Sequence, residues 1–485
     1  MNDAIVVLNL SNPVSRAITR KLRAERISCR VLTGNTQLED IQNYKPLGLV
    51  IAGADTGKAD ACFDSRILQA GIPILAIGDA SLYLAELLGS SADEQPIENG
   101  LYSIRFANHV LTGGIDDQER MLKSVAPVRA ASGIIPLCTC GDDRIIGYGY
   151  ELLPVFGMAL PVEQNDPDMS VLLKNFAANI CGCPTDWDDE RIIANAQDEI
   201  CSLAGDGNAV CVLSGGLSTA VCAVLAHKAI GSRLKCIFVE TGLLRRDECS
   251  LFFSNVVNKM GLNADVVDKS DEILELLKDV TDHDEKVRII RDCREKAVCE
   301  QLEQMENVTL MIRGNNMSDR MQGKVPSSLP GIMNEKFNTC EPLSELFRDE
   351  IKHLAEILGM PADFLCRQAF PGTGLALRIG GRVEREKLDV LRECDAILTD
   401  EIENVGIKRL MKYYACISAE TCDKEKYVIH LRAVSTGENG GALPARLPYD
   451  VLERVVERIL KTCGSVGRVL YDMTPAGNFS EIETR

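Results

Sequence analysis

Ser214, Gly215, Gly216, Ser218 and Thr219 stand together in the stretch VLSGGLSTAV (212–221), between two apolar runs. A strand feeding a Ser-Gly-Gly turn into a helix aims successive backbone N–H groups and the positive helix end at one point. That is chemistry for holding a pyrophosphate. Glycine suits such a turn because a Cβ blocks close approach and positive φ angles. The acid that would anchor an accompanying magnesium ion is missing, since Ser218 offers only a neutral hydroxyl, a weak ligand for a hard cation. A glycine pair in a strand-to-helix connection is common, so the turn alone reads first as an ordinary connection.

Composition bounds what this loop belongs to. The chain has 485 residues, 46% hydrophobic and 26% charged, which is globular composition with room for two to four domains. A net charge of −18 argues against nucleic acid as a main partner. The N-terminal MNDAIVVLNLSNP has no basic segment, and its apolar run is too short to cross a bilayer. The expectation is a cytoplasmic protein with no membrane association. Nineteen cysteines, an odd number in a large chain, read as reduced thiols. Cys138/Cys140 and Cys181/Cys183 have C-x-C spacing, which is not that of structural zinc.

The elements that position the loop follow β-α-β grammar. AIVVLNL (4–10), LGLVIAG (47–53) and IPILAIG (72–78) are apolar runs with helical segments between them, which predicts buried parallel strands. After NICGCPTDWDDE the grammar restarts with NAVCVLSGG (208–216), LKCIFVETG (234–242), ADVVDKS (264–270) and VTLMIRGN (308–315). The tail differs: KYVIHLRAV (426–434) and VGRVLYDMT (466–474) flank DVLERVVERILKTCG, in which Val451, Leu452, Val455, Val456, Ile459 and Leu460 make one helical stripe. This predicts an α/β multidomain chain ending in a small α+β domain.

In order and spacing, SGGLST, VETGLLR, VTDHDEKVRII, EPLSELFRDEIKHLAEILGMP, RQAFPGTGLALRIGGRV and LRAVSTGENGGALPARLPYDVL resemble the glutamine-hydrolysing GMP synthetase family. The resemblance implies a flavodoxin-like class I amidotransferase domain over 1–185 and an adenine-nucleotide α-hydrolase (PP-loop) ATP-pyrophosphatase domain over 186–367. It also implies a dimerisation domain over 368–485 that helps hold XMP, in a homodimer through that domain with the stripe as its seam. The family reaction adenylates XMP with ATP and magnesium, then displaces AMP with ammonia made from glutamine.

Residue by residue, the resemblance also implies losses. The thiol-bearing elbow G-I-C-Y-G-x-Q aligns with AIGDASL, which puts Gly78 at the nucleophile position. G-V-Q-F-H-P-E aligns with GMALPVE, so Pro161 replaces the base and Glu163 remains without its histidine. The oxyanion segment S-G-G-P becomes Ala52-Gly53-Ala54-Asp55, and a carboxylate beside a forming oxyanion is unfavourable. Neither Cys62 nor any of His109, His227, His283, His353 and His430 replaces the missing groups by sequence position. The expected result is an inactive glutaminase.

On the synthetase side, Ser214, Gly215, Gly216, Ser218, Thr219, Glu240, Gly242 and Arg245 are the expected ATP and pyrophosphate residues. Glu240 and Asp319 are the remaining weak magnesium candidates, and Lys324 is the only cation in the shortened segment that follows. Arg378, Arg432, Arg468 and Glu483 fall at family substrate positions, although the arginines equally suit ion pairs. The expected function is a non-catalytic or regulatory purine-nucleotide-binding member, with ATP as cofactor and magnesium weakened or lost. The alternative is a diverged, ammonia-dependent ATP-pyrophosphatase ligase acting on XMP or another substrate.

Overall fold

A computed structural model describes residues 4–54, 63–93, 95–122, 125–162, 166–321, 336–368, 370, 373–407, 410–422, 425–436 and 442–474. The chain divides after Asn195 into two compact units. Asp55, Cys62, Glu163, Lys324 and Glu483 lie outside the described residues.

In the first unit, β1 (Ile5–Asn9), β2 (Cys29–Thr33), β3 (Gly48–Ala52), β4 (Ile74–Ile77) and β9 (Leu153–Met158) pair in parallel. β1 and β3 are β-branched, aliphatic runs buried almost throughout, as strands covered on both faces must be. Beyond β9 the sheet turns antiparallel through β8 (Arg144–Tyr150), β7 (Ile134–Cys140), β5 (Gly100–Phe106) and β6 (Gln118–Leu122). The apolar-run reading misses this extension, because a strand such as β5 buries only Ile104 fully and shows no continuous apolar signal.

The second unit carries a parallel sheet in the order β12-β11-β10-β13-β14, from β10 (Asn208–Leu213), β11 (Leu234–Glu240), β12 (Ala264–Asp268), β13 (Val308–Ile312) and β14 (Asn338–Cys340). The chain winds outward from β10 in one direction and returns on its other side at β13. The strand order therefore reverses beside β10, and crevices at such reversals accept ligands at the carboxyl ends of strands. The 214–216 turn leaves β10 at that end.

The remainder of this unit is a mixed sheet of β15 (Leu410–Cys422), β16 (Lys426–Thr436), β17 (Ala442–Pro444) and β18 (Val466–Tyr471), packed by helices Arg385–Val405 and Tyr449–Thr462. One core runs through both parts of the unit, from Leu243, Ile273 and Ile290 to Leu391, Ile417 and Val455. The stripe expected at a subunit seam belongs to this core. Val451, Val455 and Ile459 are fully buried within the chain, and only Leu460 is substantially exposed. A helix with so amphipathic a pattern needs an apolar cover, and its own sheet supplies it. Among the described residues no helix is long and apolar enough to cross a membrane.

Two predictions follow from this packing. Val455→Glu buries an unpaired carboxylate and is expected to destabilise by on the order of 4 kcal/mol or more. Loss of the cooperative thermal transition reads this out, with Leu460→Glu close to wild type; a folded, merely dissociated Val455→Glu protein would return the stripe to an interface.

Buried thiols set the alkaline limit. Burial pushes Cys236 and Cys340 up to about 12 from an ordinary value near 9. The stability they contribute is complete below about pH 9 and is lost as pH rises toward 12, because the unfolded chain releases those protons first. Lys286, lowered to about 8 by burial and then by Lys387, acts in the opposite sense between about pH 8 and 10.5. A urea midpoint that falls steadily above pH 9 is expected, and a midpoint that rises there would mean the lysine dominates.

Candidate functional site

Gly78 connects β4 to helix Asp79–Leu87 with φ 63° and ψ −140°. This is a sharp strand-to-helix elbow in a conformation that L side chains rarely adopt. In a working elbow the N–H after the nucleophile faces the oxyanion. Here the Asp79 N–H donates to the Ala54 carbonyl at 2.7 Å, the Gly53 N–H donates to Ile77 at 3.0 Å, and the Gly78 N–H donates to Met158 at 2.9 Å. The donors are closed onto the protein's own backbone, and the residue at the turn is glycine, not cysteine. Pro161, half-buried just after β9, has no proton-transferring atom. His109 is engaged elsewhere: its Nδ1 accepts the Leu111 N–H at 3.0 Å and its ring lies against Phe156.

The 214–219 turn is arranged as its residue types suggest, with one qualification. Gly215 takes φ 76°, whereas Gly216, at φ −88°, is the residue preceding helix Leu217–Ile230. The hydroxyls fold inward. The Ser214 N–H donates to Thr219 Oγ1 at 3.2 Å, and the Gly216 N–H donates to Ser214 Oγ at 3.3 Å. Both bonds sit at the long end of the range, so a better acceptor can displace them. Ser218 is half-buried on the first turn of the helix.

Glu240, at the end of β11, and Asp319, in the short helix after β13, are committed to local backbone. Glu240 Oε1 accepts the Gly242 N–H at 2.9 Å, and its charge contributes, after burial, to holding the Cys249 thiol up at about 12. Asp319 accepts from Asn316 N–H at 3.3 Å, and Asn316 returns the bond at 3.2 Å, which caps the short helix Met317–Met321. Among the described residues no group of three or more His, Cys, Asp or Glu gathers as a metal site.

A cavity of about 370 Å³ opens on the face of the mixed sheet, lined by Arg378, Arg432, His283, His430, Tyr414 and Asp472 among others. Arg378 is fully buried, donates to Asp395 at 3.1 Å and lies over the Tyr414 and Phe370 rings. Arg432 pairs with Asp472 at 2.9 Å and donates to the Thr474 carbonyl at 3.0 Å. Two of the three expected substrate arginines are thus brought together. Arg468 is exposed on β18 and does not line this cavity. Arg245, expected among the ATP and pyrophosphate residues, makes an ion pair with Asp395 at 2.9 Å and lies over the Phe370 ring. Burial, acting before its charged neighbours, lowers its proton affinity.

Residues 391–483 match the family model for the GMP synthase C terminal domain. The glutamine-hydrolysing GMP synthase of Acetivibrio thermocellus is 31% identical over 98% of this chain and 98% of its own length. That of Geobacillus kaustophilus is 32% identical over 97% of this chain and 98% of its own. The chain belongs to the GMP synthase family. Among solved structures, NMN synthetase from Francisella tularensis is 12% identical and covers 60% of this chain and 97% of its own, with a TM-score of 0.31, too low for anything to rest on it.

For a GMP synthase family chain the informative residue missed by motif reading is Asp395. Its signal was present as an acid inside the buried stripe Leu391, Cys394, Leu398 and Ile402 of helix Arg385–Val405. An acid on an apolar stripe needs a partner, and here it has two arginines. His283 and His430 had no periodic signal and are placed in the cavity only by packing.

Gly78→Cys tests the elbow. A non-glycine residue at this φ and ψ costs on the order of 1–3 kcal/mol, and a thiol without a histidine stays mostly protonated. The expected variant melts at a lower temperature and releases no glutamate from glutamine; glutamate above the wild-type background would show that the closed backbone opens.

Proposed function

We propose that this chain is a GMP synthase family member without glutaminase activity that binds purine nucleotide in a non-catalytic or regulatory role. The observation that carries it is the elbow: Gly78 supplies no nucleophile, and the Asp79 N–H is closed onto the Ala54 carbonyl. In this reading 1–185 is a class I amidotransferase-like domain, 186–367 an ATP-pyrophosphatase domain and 368–485 a dimerisation domain of a homodimer. The 214–219 turn, at a reversal of strand order, takes the phosphates of ATP by displacing its long internal bonds. Magnesium fits this donor set poorly, because Ser218 is neutral and Glu240 and Asp319 each already accept a backbone N–H. The cavity with Arg378 and Arg432 suits the anionic part of a second, purine nucleotide.

Calorimetry with ATP, AMP, XMP and GMP, with and without magnesium, tests this together with a glutamate-release assay. Expected are no glutamate, nucleotide binding, and an ATP affinity that magnesium improves by less than about tenfold, under ~1.4 kcal/mol. Magnesium-dependent conversion of ATP to AMP and pyrophosphate in the presence of XMP and ammonia would establish the diverged ligase instead.

A further inference from the structure

The segment from Gly242 to Arg246, which leaves the carboxyl end of β11, is fastened along its whole length to helix Arg385–Val405 and to the turn Gly374–Arg378, whose Arg378 lines the cavity. The carbonyls of Gly242 and Leu244 accept from Arg392, the latter at 2.9 Å, and the Leu243 carbonyl accepts the Leu375 N–H at 2.7 Å. Arg246 pairs with Glu393 at 2.9 Å. At the centre, one Asp395 carboxylate takes Arg245 at 2.9 Å on one oxygen, and Arg378 at 3.1 Å with the Ala415 N–H at 3.0 Å on the other. The Asp395 side chain is 2% exposed and that of Arg378 is fully buried, so neither has water as an alternative partner. Both guanidiniums also share the Phe370 ring. At the other end of the segment, the Gly242 N–H holds Glu240.

We propose that Asp395 is a positioning residue that couples the two nucleotide sites. A ligand anion that draws Arg378 toward the cavity changes the share of the carboxylate left to Arg245, and with it the setting of the 242–246 segment beside the phosphate turn. The coupling is reciprocal, since both ligands bias one shared ion cluster. This rests on the reading above that the turn takes ATP and the cavity a purine nucleotide.

The test is calorimetry of ATP binding to the full chain with and without saturating XMP, and of XMP with and without ATP. In the wild type each nucleotide is expected to shift the other's dissociation constant by the same factor, about fivefold or more. Asp395→Asn is expected to bring that factor to near one while each nucleotide alone still binds. Arg245→Gln, which leaves the Arg378–Asp395 pair standing, is expected to do the same and covers the case in which Asp395→Asn does not fold. Binding without mutual effect in the wild type, or an unchanged factor in a folded variant, overturns the coupling alone. Absence of binding by either nucleotide to the wild type overturns the coupling and the two-site reading together.

Discussion

A carboxylate shared by two guanidiniums out of reach of water constrains everything around it. Asp395 cannot release either arginine without leaving a buried charge poorly matched, and removing one partner of such a cluster costs several kcal/mol. The helix that carries Asp395, the strand residue Ala415, the loop after β11 and the short turn Gly374–Arg378 are therefore tied to one another through this one carboxylate. The same region is closed by an apolar core in which Leu243 and the helix residues Ile273 and Ile290 pack with Leu391, Ile417 and Val455. Such pairing explains why the cavity has a cationic wall in a chain of net charge −18: the cations are held in place by specific acids and do not depend on the overall field.

The first unit shows a different kind of constraint. Gly78 makes the sharp elbow from β4 into its helix at φ 63° and ψ −140°, a conformation open to glycine and costly for other residues. Three backbone hydrogen bonds, from Gly53, Gly78 and Asp79, fix the turn. The same bonds that stabilise the turn occupy the donors that an oxyanion would need. The crossing from β4 into its helix is required by the sheet, whatever side chain stands at the turn.

In the second unit the Ser-Gly-Gly turn and the acids Glu240 and Asp319 are self-satisfied rather than open. Glu240 and Asp319 each close a local backbone bond, and the turn's hydroxyls fold back on its amides. Polar groups near a crevice without a strong external partner find the nearest internal one, since leaving them unpaired is expensive. The bonds at 214–219 lie at the long end of the hydrogen-bond range, so they are the more easily exchanged for a better acceptor.

The sequence by itself determined the parallel strands, the Ser-Gly-Gly turn and its place after β10, the family, and the absence of thiol and base at Gly78 and Pro161. Those features are local: they depend on periodicity and turn chemistry within a few residues of each other. The tertiary structure alone decided that Arg245 pairs with Asp395, that the Val451–Val455–Ile459 stripe lines the chain's own core, that Arg378 and Arg432 share a cavity which Arg468 does not, and that Asp79 N–H is closed onto Ala54. Each of these is a choice of partner. Arg392 reaches Gly242 across 150 positions, and no local pattern encodes which of many acids, carbonyls or apolar faces a side chain meets once the chain is packed. An amphipathic stripe specifies that it must be covered, and a buried arginine that it must be paired; what covers or pairs them is settled only by the fold.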